Sequence, residues 1–190
     1  MKYLGIDIGG TSIKASVVDE EMNILSRAKL RTRTGISGQE LCDDVVKAAK
    51  QSVQEAGIEL EDCEYCGVGC PGVVNPKNGR LEYSNNLGQF DVPLRDMLSE
   101  MLSMDVYVDN DANCAALGEV VAGAAKGAES ALMVTLGTGL GGGIVIGGKI
   151  YPGINGVAGE IGHMVICPGG EECTCGRRGC WEAYSSATAL

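Results

Sequence analysis

Leu4-Gly5-Ile6-Asp7-Ile8-Gly9-Gly10-Thr11-Ser12-Ile13-Lys14-Ala15-Ser16-Val17-Val18 is the stretch on which the fold turns. Lys2 to Ile8 reads as a strand, Gly9-Gly10-Thr11 as a tight turn and Ser12 to Val18 as a second strand, close enough to pair as an antiparallel hairpin. The same form, apolar strand, Gly-Thr turn, apolar strand, returns at Leu132 to Ile146, so the chain carries a weak internal duplication.

Between the two copies, strand and helix patterns alternate. A third strand is expected at Asn23 to Leu30. Ser37 with Glu40 makes a capping box, after which Leu41, Val45, Ala49, Val53 and Ala56 recur at helical spacing until Gly57. Tyr65 to Gly69 reads as a short buried strand, and Pro93 opens a helix with Leu94, Met97, Leu98, Met101 and Leu102 on its apolar face. Val106 to Val108 is a strand, and Asn110-Asp111-Ala112-Asn113 supplies cap-type residues for a helix that begins at its end. The organisation this predicts is α/β, with a first domain over 1–118 and the beginning of a second, incomplete domain over 119–190.

Composition narrows the classes of function. The chain has 190 residues, 25 acidic against 15 basic, and no basic cluster beyond Arg177-Arg178, which disfavours nucleic acid as a partner. No apolar run approaches the roughly 18 residues of a membrane span, and no cleavable leader precedes Lys2, so a cytoplasmic protein is expected. Nine cysteines, an odd number, point to metal ligands or reduced core thiols rather than a disulfide framework.

Four segments carry chemistry. In Asp7-Ile8-Gly9-Gly10-Thr11-Ser12-Ile13-Lys14, adjacent glycines let backbone N–H groups approach an anion, Thr11 adds a hydroxyl and Asp7 could hold hydrated Mg²⁺; the alternative is a plain hairpin turn. Gly137-Thr138-Gly139-Leu140-Gly141-Gly142-Gly143 is a second glycine segment, and five glycines in seven residues are costly in folding entropy for a hairpin alone. Two such turns suggest jaws around a polyphosphate. Asp111 at the end of a strand could accept the proton of a hydroxyl that attacks phosphorus; the alternative is a helix cap. His163 with Cys173, Cys175 and Cys180 places three thiols and one imidazole within 18 residues, which matches a closed tetrahedral zinc site, with Cys167 as a competing ligand. Cys42, Cys63, Cys66, Cys70 and Cys114 read as small apolar core residues, and the Cys63-x-x-Cys66 pair lacks the helix N-terminus of a redox motif.

Taken together, Asp7 to Lys14, Cys70-Pro71-Gly72, Asn110 to Asn113, Leu136 to Gly143, Gly159-Glu160-Ile161-Gly162-His163 and Cys173 to Glu182 resemble the ROK family, and within it the bacterial glucokinases. The resemblance implies an actin-like ATPase fold, with ribonuclease-H-like domains, mixed sheets and flanking helices, closing over a hexose and ATP. By position it implies that Asp111 is the catalytic base for the sugar 6-hydroxyl. It further implies that Gly72, Asn86, Asn110, Glu160, His163 and Glu182 contact the sugar. Gly9, Gly10, Thr11, Gly137, Thr138 and Gly139, with Asp7 and Lys14, would meet the ATP phosphates and Mg²⁺, and His163, Cys173, Cys175 and Cys180 would hold a structural Zn²⁺. A homodimer is expected. Repressors of the family carry a winged-helix domain ahead of the region that starts here near Tyr3, so a repressor role is disfavoured.

Overall fold

The computed structural model describes residues 1–189 and divides into two compact units, Met1–Asp111 and Ala112–Leu190. The division falls at the strand-to-helix junction that follows Asn110, where the sequence had suggested 118–119.

The first unit is built on strands β1 (Lys2–Ile8), β2 (Ser12–Asp19) and β3 (Ala28–Arg31), helix α1 (Gly38–Glu55) and strand β4 (Tyr65–Cys70). Then follow β5 (Val73–Val74), β6 (Leu81–Ser84), β7 (Gln89–Val92), helix α2 (Leu94–Leu102) and β8 (Asp105–Asn110). The main sheet runs β3-β2-β1-β4-β8, with β2 antiparallel to its neighbours and β1, β4 and β8 parallel. Alternation along β1 sends Leu4, Ile6 and Ile8 to one face, where α1 covers them with Leu41, Val45, Val46, Ala49 and Val53. Helix α2 adds Leu94, Leu98 and Leu102 to the same core. On the opposite face Tyr3, Tyr65 and Tyr107 form a row of edge-on and tilted rings 4.7 and 5.6 Å apart.

Helix α1 starts where the capping box requires: Ser37 Oγ accepts from the Glu40 N–H at 3.2 Å, and Glu40 returns by accepting from Ser37 N at 2.8 Å. It ends before Gly57, which takes φ +69. Pro93 sits just outside α2 as its cap.

Two sequence expectations need correction here. The strand expected from Asn23 shrinks to Ala28–Arg31, because Asp19 Oδ1 accepts from the N–H groups of Glu21 and Asn23 and bends the chain, leaving only an isolated bridge from Ile24 to Val18. The segment between Gly72 and Pro93, without an expected element, holds the three-stranded sheet β5-β6-β7.

The second unit opens with α3 (Asp111–Ala122), whose first residue closes the first unit, and continues with β9 (Ser130–Leu136), β10 (Leu140–Ile146), β11 (Lys149–Ile150) and the short helix α4 (Glu182–Ser185). The strands form one antiparallel sheet in the order β11-β10-β9. Its small core joins Ala116 and Val120 of α3 to Val145. The turn between β9 and β10 is shorter than expected: Gly141, Gly142 and Gly143 lie within β10. A side chain on Gly143 would lie 2.6 Å from Ala116 Cβ and from the Ala112 carbonyl, and one on Gly142 would lie 2.6 Å from Ile161. Close packing of a loop and a helix on the strand requires Gly142 and Gly143, and a side chain on Gly141 would meet Thr135 Oγ1 of the paired strand at 2.7 Å. Among the described residues no helix is long and apolar enough to cross a membrane.

Candidate functional site

In the first unit the glycine turn after β1 is fixed through its carbonyls. Gly9 O accepts from Thr32 Oγ1 at 2.6 Å and Thr11 O from Thr32 N at 3.1 Å, while Gly9 N donates to Ser12 O at 2.9 Å. Gly10 and Thr11 are exposed, and their N–H groups donate to no acceptor among the described residues. That is the arrangement an anion needs: amides held outward by carbonyls that are engaged elsewhere. Asp7 and Lys14 face each other across the β1–β2 ladder and form an ion pair at 2.7 Å beside the turn. Asn86 also lies here, its Cβ 3.7 Å from where a Gly10 side chain would begin.

The same unit also holds Gly72, Asn110 and Asp111 of the expected sugar site. Asn110, at the end of β8, donates from Nδ2 to the Gly72 carbonyl at 3.1 Å, and its own N–H donates to Asp109 Oδ1 at 2.7 Å. Gly72 adopts φ +112, and a Cβ there would lie 2.9 Å from Ser84 Cα, so only glycine fits. Asp111 follows as the first residue of α3, half-buried, where a carboxylate is stabilised by the helix N-terminus.

In the second unit the turn between β9 and β10 repeats the construction of the first. Gly137 N donates to Gly139 O at 2.9 Å. Gly137 O accepts from Ala187 N at 2.9 Å and Thr138 O from Thr188 Oγ1 at 2.8 Å, so again a threonine hydroxyl holds a turn carbonyl. The N–H groups of Thr138 and Gly139 donate to no acceptor among the described residues.

His163, Cys173, Cys175 and Cys180 converge so that their ligand atoms all lie within 4.8 Å of one another. The Cys173 Sγ to His163 Nδ1 separation is 3.6 Å and the Cys175 to Cys180 Sγ separation 3.7 Å. A tetrahedral ion with Zn–S bonds of about 2.3 Å has ligand–ligand edges of ~3.8 Å, so this donor set fits zinc. Positive φ at Gly176 and Gly179 folds the loop tightly enough to bring the thiols together. With Nδ1 turned to the thiols, His163 Nε2 faces Glu160 Oε2 at 3.8 Å. In the bare cluster the N–H of Arg177 holds the Cys175 thiol down to about 7, while burial pushes Cys180 up to about 11. Cys167 stands outside the group, exposed.

Sequence reasoning did not find the double engagement of Glu182. Its Oε2 accepts from Leu140 N at 2.9 Å and its Oε1 from Thr174 Oγ1 at 3.2 Å. Nothing local in the sequence signals a contact across 42 positions. The remaining cysteines behave as core: Cys42, Cys63, Cys66 and Cys70 are buried, Cys114 half-buried, and burial pushes the Cys66 thiol up to about 12, far from a reactive thiolate.

A mixed sheet in the order β3-β2-β1-β4-β8 with a glycine turn closing its first hairpin defines the ribonuclease-H-like, actin-like ATPase class. The ROK family model matches residues 3–190, and the chain belongs to the ROK family. It is 40% identical over 189 residues to a glucokinase of Halalkalibacterium halodurans, covering 99% of this chain and 57% of that one. It is 39% identical over 189 residues to the xylose repressor of Bacillus subtilis, covering 98% of this chain and 48% of that one. A ROK family glucokinase from Streptomyces griseus, solved in complex with glucose and AMPPNP, superposes with a TM-score of 0.88 at 40% identity, over 100% of this chain and 58% of that one. The chain thus spans roughly half to three fifths of the length of these proteins.

Proposed function

We propose that this chain carries the catalytic carboxylate, both phosphate turns and the zinc loop of an ATP-dependent hexose kinase that converts glucose to glucose 6-phosphate. The observation that carries the reading is the matched construction of the two glycine turns, each with its carbonyls tied back and its next N–H groups directed to no protein acceptor. A polyphosphate supplies the acceptors such amides lack.

In this reading Asp111 takes the proton of the sugar 6-hydroxyl as that oxygen bonds to the γ-phosphorus and the bond from phosphorus to the β,γ-bridging oxygen breaks, releasing ADP. Asn110, held by Gly72, and Asn86, Glu160, His163 and Glu182 orient the sugar through its other hydroxyls. Asp7, Gly9, Gly10, Thr11 and Lys14, with Gly137, Thr138 and Gly139, receive the nucleotide phosphates. The Asp7–Lys14 pair beside the first turn supplies a carboxylate for a cation and an ammonium for a phosphate, and Mg²⁺ bound with ATP would neutralise the charge that builds on the transferred group. His163 Nδ1 and the thiols of Cys173, Cys175 and Cys180 would hold zinc in a structural role, and His163 Nε2 would then remain as an N–H donor.

The test is ADP release by the zinc-loaded chain with MgATP and glucose, mannose, fructose or N-acetylmannosamine, the product identified by mass and phosphorus NMR. Turnover highest with glucose supports the reading, and turnover highest with N-acetylmannosamine or fructose moves the substrate within the family. A second reading, a sugar- and zinc-binding protein without catalysis, draws on the Cys₃His cluster alone; glucose binding without ADP release would select it.

A further inference from the structure

The turn Gly137–Gly139 closes the β9–β10 hairpin at the Leu136–Leu140 pair with one bond of its own, Gly137 N to Gly139 O, and Gly137 and Thr138 are exposed. Its external bonds all run to one segment, 182–188. Glu182 Oε2 accepts from Leu140 N, Ala187 N donates to Gly137 O, and Thr188 Oγ1 donates to Thr138 O. A side chain on Gly139 would begin 2.5 Å from Glu182 Oε2, so the glycine at this position is what lets the carboxylate reach the turn.

That segment hangs from the metal loop. It follows Cys180 directly, and Cys180 bridges to Val165 while Trp181 N donates to Met164 O at 2.9 Å. The other carboxylate oxygen of Glu182 accepts from Thr174, which lies between the ligands Cys173 and Cys175, and Cys173 Sγ itself approaches that oxygen at 3.8 Å. One carboxylate therefore has one oxygen on the metal loop and one on the glycine turn.

We infer that the segment 182–188, beginning at Glu182, is a strap through which metal in the Cys₃His centre orders the glycine turn. Metal fixes Cys173, Cys175 and Cys180, which fixes Thr174 and the start of the strap, which in turn holds the Leu140 amide and the carbonyls of Gly137 and Thr138. Without metal the backbone bonds of Gly179 to Glu171 and Ile166 still hold the base of the loop, but Cys173 and Cys175 lose their common ligand, Thr174 between them leaves Glu182, and the turn loses that tie. The part of this inference that concerns nucleotide rests on reading the turn as a phosphate site. By linkage, metal then tightens nucleotide and nucleotide tightens metal by the same factor, within the usual range of about 5- to 150-fold.

Hydrogen–deuterium exchange of the full chain, with zinc and after chelation, separates the two parts. Expected is a rise on the order of tenfold in exchange at the bonded amides of the turn region, Gly137 and Leu140, on chelation, reversed by zinc, while α1 stays protected as an internal control for folding. Thr188→Val in the zinc-loaded protein should raise exchange over the same residues, and Glu182→Gln, which keeps an acceptor for Leu140 but loses charge toward Thr174, should weaken the dependence of the turn on zinc. Exchange over 137–140 that is unchanged by chelation while 173–180 becomes unprotected overturns the strap. AMPPNP titration by calorimetry, with and without zinc, is the second arm. A loss of affinity on chelation extends the coupling to nucleotide; AMPPNP that binds equally well in both states overturns the linkage. Metal-dependent exchange with no AMPPNP binding in either state upholds the strap and refutes the phosphate reading of the turn.

Discussion

Gly142→Ala tests how closely the His163, Cys173, Cys175 and Cys180 cluster, the candidate metal site, is tied to β10. The backbone at Gly142 is ordinary strand, without positive φ, so alanine fits the chain and the effect is steric. The added Cβ would lie 2.6 Å from Ile161 Cγ1 and Cδ1 and 2.8 Å from the Gly159 carbonyl oxygen. Carbon atoms rest at about 3.5 to 4.0 Å, so the overlap is about 1 Å, and Ile161 is only 9% exposed and has little room to turn. Relief requires residues 159–163 to move away from the strand, and His163 moves with them. Its Nδ1 lies 3.6 Å from Cys173 Sγ, whereas metal bonds hold their lengths to within about 0.2 Å. We expect a loss of stability of about 1 to 3 kcal/mol from overpacking, and zinc affinity lowered by about 10- to 100-fold, as when the support of a ligand is removed. Thermal unfolding of the zinc-loaded protein and competition for zinc with a chromophoric chelator read the two effects. A variant with unchanged midpoint and unchanged zinc affinity refutes the reasoning.

Leu41→Ala, at a position 1% exposed beneath the main sheet, should cost about 2 to 5 kcal/mol in urea unfolding; a loss below that range would mean the site collapses around the deletion. Ser37→Ala should cost about 1 kcal/mol by removing the cap of α1. Bonds from Ser37 hold the Glu40 carboxyl below its ordinary value of 4.5, so its contribution is present above that pH and fades as pH falls through the lowered value. Glu40→Gln should therefore flatten the dependence of stability on pH in the acid range, and an unchanged slope would contradict the capping account. Leu132 and Leu136 leave 63% and 64% of their surface exposed along one face of β9, which suits self-association; light scattering should return twice 19.7 kDa, and a clean monomer would remove the expected homodimer.

Much of this was legible in the sequence because the signals are local. The β1–β2 hairpin follows from alternation around Gly9-Gly10, α1 from one capping box and a 3.6-residue period, and the clustering of His163, Cys173, Cys175 and Cys180 from their spacing. What stayed hidden depends on distant partners. Strands β5 to β7 have two to four residues each, too few to show alternation, and Phe90 within them is 79% exposed. Gly142 and Gly143 look like turn residues until Ile161, Ala112 and Ala116 are brought against them. Glu182 reads as a ligand for a sugar, and only the folded chain brings its carboxylate to Leu140 and Thr174.

The role of Asp111 is tested most directly by Asp111→Asn, which keeps size and hydrogen bonding while removing the basic oxygen. Zinc-loaded wild type and variant would be compared for glucose binding by calorimetry and for glucose-dependent ADP release from MgATP. The account predicts that the variant binds glucose within a few-fold of wild type and that its turnover falls by about 10²- to 10⁴-fold, the share supplied by a general base. Turnover in Asp111→Asn equal to that of the wild type would contradict it.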